Sequence, residues 1–435
     1  MNPIRRRPAS PHQGVRSLHE LPESLRARAE VVVVSSGPGG AVVAKELAER
    51  GRDVILLEEG REHPRESFEP DAAEAMLSML REGGMRAMRG HSFTPTMQAI
   101  CLGGGSVVNS AISARSPDFV FERWAERYGI EAIDPPRMAR HYDAIEGFLG
   151  IAPTPMHVMG ERNLAFKRGC DALGWSSAPA PRNVIGCRGS AECFTGCRNG
   201  AKQSMDVSYL PAAIRHGARV FTSARVEQVI GEGRRARGVR GRMIHPETRR
   251  PSGEFEVQAD VVVLAAGCMA TPVILQRSEL GDPCGQAGQH LGAHPGIAIL
   301  AVFPHRIRPS IGATQGYHSL HFLEQGTKLE VLWAPPAVVA TRLEGFGRRF
   351  VDQLASLDRA APFDAFVAGY DSVGSVRAPR LGANPEIRYE LASSDVRKVR
   401  DALGLLCELS LAAGAERVML GLHGQPESIR TMDQV

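Results

Sequence analysis

The stretch Glu30-Val-Val-Val-Val-Ser-Ser-Gly-Pro-Gly-Gly40 decides how the chain folds. Its β-branched run has no polar face, which reads as a strand buried on both sides in a parallel sheet. A glycine-rich turn follows at once. From Pro38 to Arg50 the pattern is helical, with Ala41, Ala44, Leu47 and Ala48 on one face and Lys45, Glu46, Glu49 and Arg50 on the other. Gly51 stops the helix. Asp53-Val-Ile-Leu-Leu57 is then a second strand ending in Glu58-Glu59-Gly60, so residues 30–60 form one βαβ unit of dinucleotide-binding size.

In a G-x-G-x-x-G turn the glycines answer separate demands: a tight turn, close approach of backbone to pyrophosphate, and close packing of helix on strand. The six positions here read Ser35-Ser36-Gly37-Pro38-Gly39-Gly40. Gly37 and Gly40 fill the second and third glycine positions, and Ser35 stands at the first, where its side chain strains the turn. Pro38 is harmless, because its missing N–H is an orphan at a helix start. Glu58 lies close to the ~20-residue offset at which an acid meets ribose hydroxyls, and its carboxylate repels a 2′-phosphate. An unphosphorylated adenosine ribose is expected there.

With 435 residues, 43% hydrophobic and 23% charged, the chain should form two or three domain-sized units. The formal charge of +4 is spread over tails and loops such as Arg5-Arg6-Arg7 and Arg234-Arg235, too diffuse for nucleic acid. The first thirty residues hold no apolar run, so neither a secretory nor a twin-arginine signal is read there, and a cytoplasmic protein is expected. No apolar window reaches membrane-spanning length. The eight cysteines are expected to be thiols unless clustered for a task.

Further along, residues 70–82 look helical and lead into Leu102-Gly-Gly-Gly-Ser-Val-Val-Asn109. Residues 150–205, rich in Pro, Gly and Cys, read as loops. Strand patterns return at Arg219–Ile230 and at Ala259–Gly267, so the parallel sheet is revisited. From about residue 305, alternating stretches such as Lys328-Leu-Glu-Val-Leu-Trp333 predict an antiparallel sheet of a second domain. Ser394 or Asp395 is placed to cap a helix with Val396, Val399, Leu403, Leu406 and Leu409 on its apolar stripe, ending near Gly414.

The run Gly103-Gly104-Gly105-Ser106-Val107-Val108-Asn109 resembles the glucose-methanol-choline (GMC) oxidoreductase family, and other landmarks agree in order. They are Glu58-Glu59-Gly60, Cys193-Phe-Thr-Gly-Cys197 with Gly200-Ala-Lys-Gln-Ser204 and Tyr209-Leu-Pro211, Ala265-Ala-Gly267, and Gln289-His-Leu-Gly-Ala-His-Pro295. The resemblance implies an α/β protein with a Rossmann-like FAD-binding domain, a parallel sheet flanked by helices, and a second α+β substrate domain on an antiparallel sheet. It implies FAD in an extended pose, with Gly37 and Gly40 at the pyrophosphate, Gly104 in contact with the cofactor, Gly105, Asn109 and Ile112 toward the flavin, Val226 beside adenine and Gly267 on the returning strand. Position 108, where some members carry a histidine covalently attached to flavin, is Val, so the cofactor is expected to be non-covalent. The implied reaction is oxidation of an alcohol CH–OH group by hydride transfer to flavin.

The family's catalytic histidine lies in a C-terminal S-H-x-x-G-T-C-R-M-G segment that this sequence, ending at Val435, does not contain. The catalytic residues are therefore unknown at this stage; His290, His294 and His423 read as packing or surface histidines. The expected layout is a flexible basic tail over 1–29, an FAD-binding domain over 30–112 and 206–304, a cap or loop insertion with the cysteine cluster over 113–205, and a substrate domain over 305–435 that stops before the closing FAD-domain segment. Three readings follow: an FAD-dependent alcohol oxidoreductase, a non-catalytic or partner-dependent relative, and, more distantly, a redox protein built around the cysteine cluster. Exposed apolar neighbours of the missing piece predict a homo-oligomer or a complementing chain. Cys187, Cys193 and Cys197 are read as structural thiols or a redox-labile pair, with a metal or iron–sulfur site as the alternative and Cys170 the nearest fourth ligand. Cys101, Cys268, Cys284 and Cys407 read as buried small hydrophobes.

Overall fold

The computed structural model describes residues 14–21, 24–69, 71–91, 94–278, 282–333, 339, 340, 343, 345–380, 384–422 and 424–435. The βαβ unit forms as the sequence predicts: β1 (Val15–Ser17) precedes it, β2 (Leu25–Val34) runs into α1 (Pro38–Glu49), and β3 (Val54–Leu57) returns parallel. Val31–Val34 and Val54–Leu57 are buried throughout, as a parallel strand covered on both faces requires. The sheet has seven strands, in the order β1, Arg219–Thr222, β3, β2, Pro251–Leu264, Arg235–Ile244, Ala224–Glu232. Its first five are mutually parallel, and the last two return as antiparallel hairpins.

Several boundaries differ from the sequence reading. The sheet claims Val15–Ser17 and Leu25–Ala29, which had been grouped with the tail. The single strand expected over Arg219–Ile230 is broken at Ser223, whose φ of 60° turns the chain. Gly296–Val302 belongs to the second sheet, not the first. The window 150–205 is not all loop: Glu161–Leu173 is a helix whose Phe166 meets Phe363 edge to face at 5.4 Å.

That second sheet is antiparallel and six-stranded, in the order Arg417–Met419, Gly296–Val302, Ala360–Val367, Thr327–Val331, Tyr317–Ser319, Ala178–Pro179. The helices Glu161–Leu173 and Ser393–Ala412 cover one of its faces, where Leu329, Phe363, Leu406 and Val418 share a core. Asp395 does not cap the second helix, which starts from Ala392; its buried carboxylate instead accepts from Ser372 N (2.9 Å) and Ser372 Oγ (2.6 Å).

A candidate nucleotide site at the crossing of two glycine runs

Strand register builds the site. Val34 pairs with Leu57, so Ser35 and Glu58 leave the sheet side by side, and Ser35 N–H donates to Leu57 O at 2.7 Å. Glu58 is buried at the strand end. Its Oε2 accepts from Ser36 N (2.9 Å), Ser36 Oγ (2.6 Å) and Ser35 Oγ (3.3 Å), while Oε1 accepts from Gly60 N (2.8 Å). Burial pushes the carboxyl pKa up, against the pull of the Ser36 hydroxyl and the Gly60 and Ser36 amides. Ser36 Oγ also accepts from Gly103 N at 2.9 Å. One hydroxyl thus ties the first turn, the acid and the second glycine run together.

Close backbone approach explains the glycines. A Cβ on Gly40 would lie 1.9 Å from Ser35 O, so no side chain fits between α1 and the turn. Gly104, at φ 56°, packs on Gly37: its Cβ would fall 2.8 Å from the Gly37 Cα. Ser35 itself holds φ 84°, the strained conformation that its place at the first glycine position demands.

Of the residues singled out from sequence, Ser35, Glu58, Gly104 and Val226 line one pocket, together with Arg81 and Ala266. A bulge after Val226 bends the strand beside that pocket. Gly37 and Gly40 shape the turn behind it. Gly105, Asn109, Ile112 and Gly267 do not line it: Gly105 opens the short helix Gly105–Val108, Asn109 follows its end, Ile112 bridges to Arg182, and Gly267 starts the helix Gly267–Arg277. Gly105, Asn109 and Gly267 are exposed. Of the residues expected toward the flavin, Gly105 and Asn109 sit on open surface and Ile112 is half-buried, while Gly104 joins Ser35, Glu58 and Val226 in the pocket.

Sequence reasoning missed three parts. Ser36 fills a position of the turn to which the glycine pattern assigns no role. Arg81, from beyond the helix Ala72–Met79, forms a fork with Glu59 inside the pocket, Nη2 to Oε2 at 2.5 Å and Nη1 to Oε1 at 3.2 Å. Buried Lys202 donates from Nζ to Val107 O (2.5 Å), Asn109 O (3.0 Å) and Cys193 O (2.8 Å), and burial pulls its pKa down. Its only signal was the Gly200-Ala-Lys-Gln-Ser204 run, which assigned it no task.

His290 and His294 are exposed, the first bonded to Gln286 and the second edge-on to Phe366; His423 lies outside the described residues. Cys101 and Cys407 are buried as expected, but Cys268 and Cys284 are exposed, because each sits where the chain leaves an apolar segment rather than inside one. Among the described residues, no group of three His, Cys, Asp or Glu side chains is placed to hold a metal ion.

A mainly parallel sheet with a glycine turn and an acid at the next strand end defines a fold of the Rossmann type. Residues 76–296 match the family model described as GMC oxidoreductase. A GMC-type oxidoreductase of Mycobacterium tuberculosis is 35% identical over 428 residues, covering 96% of this chain and 66% of that protein. Long-chain-alcohol oxidase FAO4B of Arabidopsis thaliana is 26% identical over 408 residues, covering 90% of this chain and 53% of that protein. In fold, pyridoxine 4-oxidase from Mesorbium loti matches with a TM-score of 0.67 at 17% identity, covering 93% of this chain and 85% of that one. The chain belongs to the GMC oxidoreductase family. It spans between about half and two thirds of the length of these curated relatives.

Proposed function

We propose that the chain carries the FAD-binding and substrate domains of an oxidoreductase acting on the CH–OH group of an alcohol, with FAD held non-covalently. The observation that carries this reading is the buried Glu58 carboxylate where the two glycine runs meet. Oε1 has one amide on it and keeps room for a ribose hydroxyl, whereas a phosphate on that ribose would face a buried acid. The start of α1 and the backbone around Gly37 and Gly104 favour the pyrophosphate through aligned N–H groups. Val108 offers no atom for a covalent link to the cofactor. Bound FAD would supply the hydride acceptor. An alcohol substrate is supported by the long-chain-alcohol oxidase relative. No described histidine is assigned as the base. A cytoplasmic location goes with this reading; among the described residues no helix is long and apolar enough to cross a membrane.

A second reading, a partner-dependent or non-catalytic relative, is favoured by one sheet edge. Along Pro251–Leu264, Gln258 is the last residue paired with the Arg235–Ile244 strand. Beyond it, Ala259–Leu264 pairs only with β2 among the described residues, and Val261 is 51% exposed. An edge left open over this mostly apolar run, with Asp260 its one charged residue, is suited to receive another strand, from a second copy or a complementing chain.

The deciding measurement is an absorption spectrum of the purified chain, before and after anaerobic addition of short- and long-chain alcohols. Flavin bands that bleach support the oxidoreductase. Bands that persist support a cofactor-binding, partner-dependent protein, and no flavin after reconstitution with FAD rejects both cofactor readings.

A further inference from the structure

Cys187, Cys193 and Cys197 line one small cavity with Arg182, Lys202 and Thr314. All three cysteines are free; Cys193 is buried, and the other two are half-buried. A short 3₁₀ turn over Cys193–Thr195, followed by Gly196 at φ 88°, brings Cys193 and Cys197 to the same cavity. Arg182 is fully buried. It donates from Nη2 to Cys193 Sγ at 3.0 Å and from Nε to Ser110 O at 3.1 Å, and among the described residues its Nη1 has no partner. The Thr314 hydroxyl on the cavity wall is also without one.

Positive charge gathers here. Lys202 and Arg162 are buried as well as Arg182. Arg162 is spent on backbone carbonyls of residues 309–314 and Lys202 on three others. Of the acids nearby, Glu192 pairs with Arg198, and Asp206 acts on Lys202. Buried cations are retained at a cost unless negative charge answers them. Among the described residues, Cys193 Sγ is the only side-chain acceptor on Arg182.

We propose that Cys193 and Cys197 are a peroxide-responsive dithiol, with Arg182 stabilising charge on Cys193 as it reacts. The Cys197 sulfur attacks hydrogen peroxide; the O–O bond breaks, hydroxide leaves as water with the thiol proton, and Cys197 becomes a sulfenic acid. The Cys193 sulfur then attacks the Cys197 sulfur; the S–S bond forms, the S–O bond breaks, and the Cys193 proton departs in a second water. Two thiols are oxidised and one peroxide is reduced to two waters. Because Lys202 joins Cys193 O to Val107 O and Asn109 O, the bridge also loosens the loop that follows the second glycine run.

The test uses the whole chain carrying Cys268→Ser and Cys284→Ser, which removes the exposed thiols. After hydrogen peroxide, a non-reducing tryptic digest should give the 189–198 peptide lighter by two hydrogens, with thiol titration lower by two. Arg182→Gln should slow the bridge several-fold, and Cys197→Ser should abolish it. If Arg182→Gln does not fold, the parent alone decides: alkylation in denaturant after peroxide treatment and quenching must show that labelling of both Cys193 and Cys197 falls. Hydrogen exchange at residues 105–112 should rise in the bridged form. Unchanged labelling, a bridge to Cys187, or stoichiometric iron or zinc released on alkylation would overturn the proposal. None of these readouts requires bound flavin.

Discussion

Ser35 and Gly40 share one tight turn and make opposite demands. Ser35 carries a side chain at φ 84°, a conformation that costs an L residue about 1–2 kcal/mol, partly offset by its contact with Glu58. Ser35→Gly removes that strain but adds freedom to the unfolded chain, worth about 0.5–1 kcal/mol. A net gain of roughly 0.5 kcal/mol, with tighter FAD binding, is expected from thermal melts and flavin titration. Gly40→Ala pushes a methyl to 1.9 Å from Ser35 O, where backbone must move. A loss of about 3 kcal/mol or more is expected, and reconstituted flavin should be lost with it. An alanine variant that melts with the parent and keeps flavin would disprove the close-packing role.

At the scale of elements, what the sequence made legible was local. The β-branched run, the glycine turn, the helix stripe and Glu58 all fall within residues 30–60, and their order fixes β2, α1 and β3. What stayed hidden is held by distant partners. The Glu161–Leu173 helix was masked by its Pro- and Gly-rich surroundings, and it is stabilised by a sheet more than a hundred residues away. Lys202 gave no sign that it reaches Val107 and Asn109, because nothing in a linear pattern marks a buried ammonium. Asp395 looked like a cap because caps are acidic and precede apolar stripes; the turn at Ser372 that takes its carboxylate lies upstream on another segment. Asp395→Ala leaves the amide and hydroxyl protons of Ser372 unanswered and takes the ion pair from Lys398, which keeps Ala368 O, and should cost about 2–4 kcal/mol in urea unfolding. The open edge at Ala259–Leu264 supports a different expectation. Val261→Lys puts a charge on the exposed face of that edge and should shift any self-association seen by analytical ultracentrifugation toward monomer. Unchanged association would place the contact elsewhere.

For the whole molecule, acid sensitivity is written into histidines that the fold keeps neutral. His318 is buried on the second sheet, directly across from Glu330, which in turn faces Asp364; Gln315 and Lys328 also bond to Glu330. Burial first, and the nearby Lys328 charge second, lower its pKa to about 4 from 6.5. His63, buried among Arg61 and Arg249, falls to about 3. A histidine whose folded pKa is depressed contributes stability that is fully present above the unfolded value of 6.5. As pH falls, the unfolded chain takes up the proton and the folded chain does not, so the contribution is lost between 6.5 and about 4 for His318 and continues toward 3 for His63. At 1.36 kcal/mol per unit, His318 alone accounts for about 3 kcal/mol over that window. His318→Gln cannot be protonated, so the fall in unfolding free energy from neutral pH to about pH 4 should be shallower by an amount of that order. Paired urea titrations across the window test this, and parallel curves for parent and variant would show that His318 titrates alike in the folded and unfolded chain.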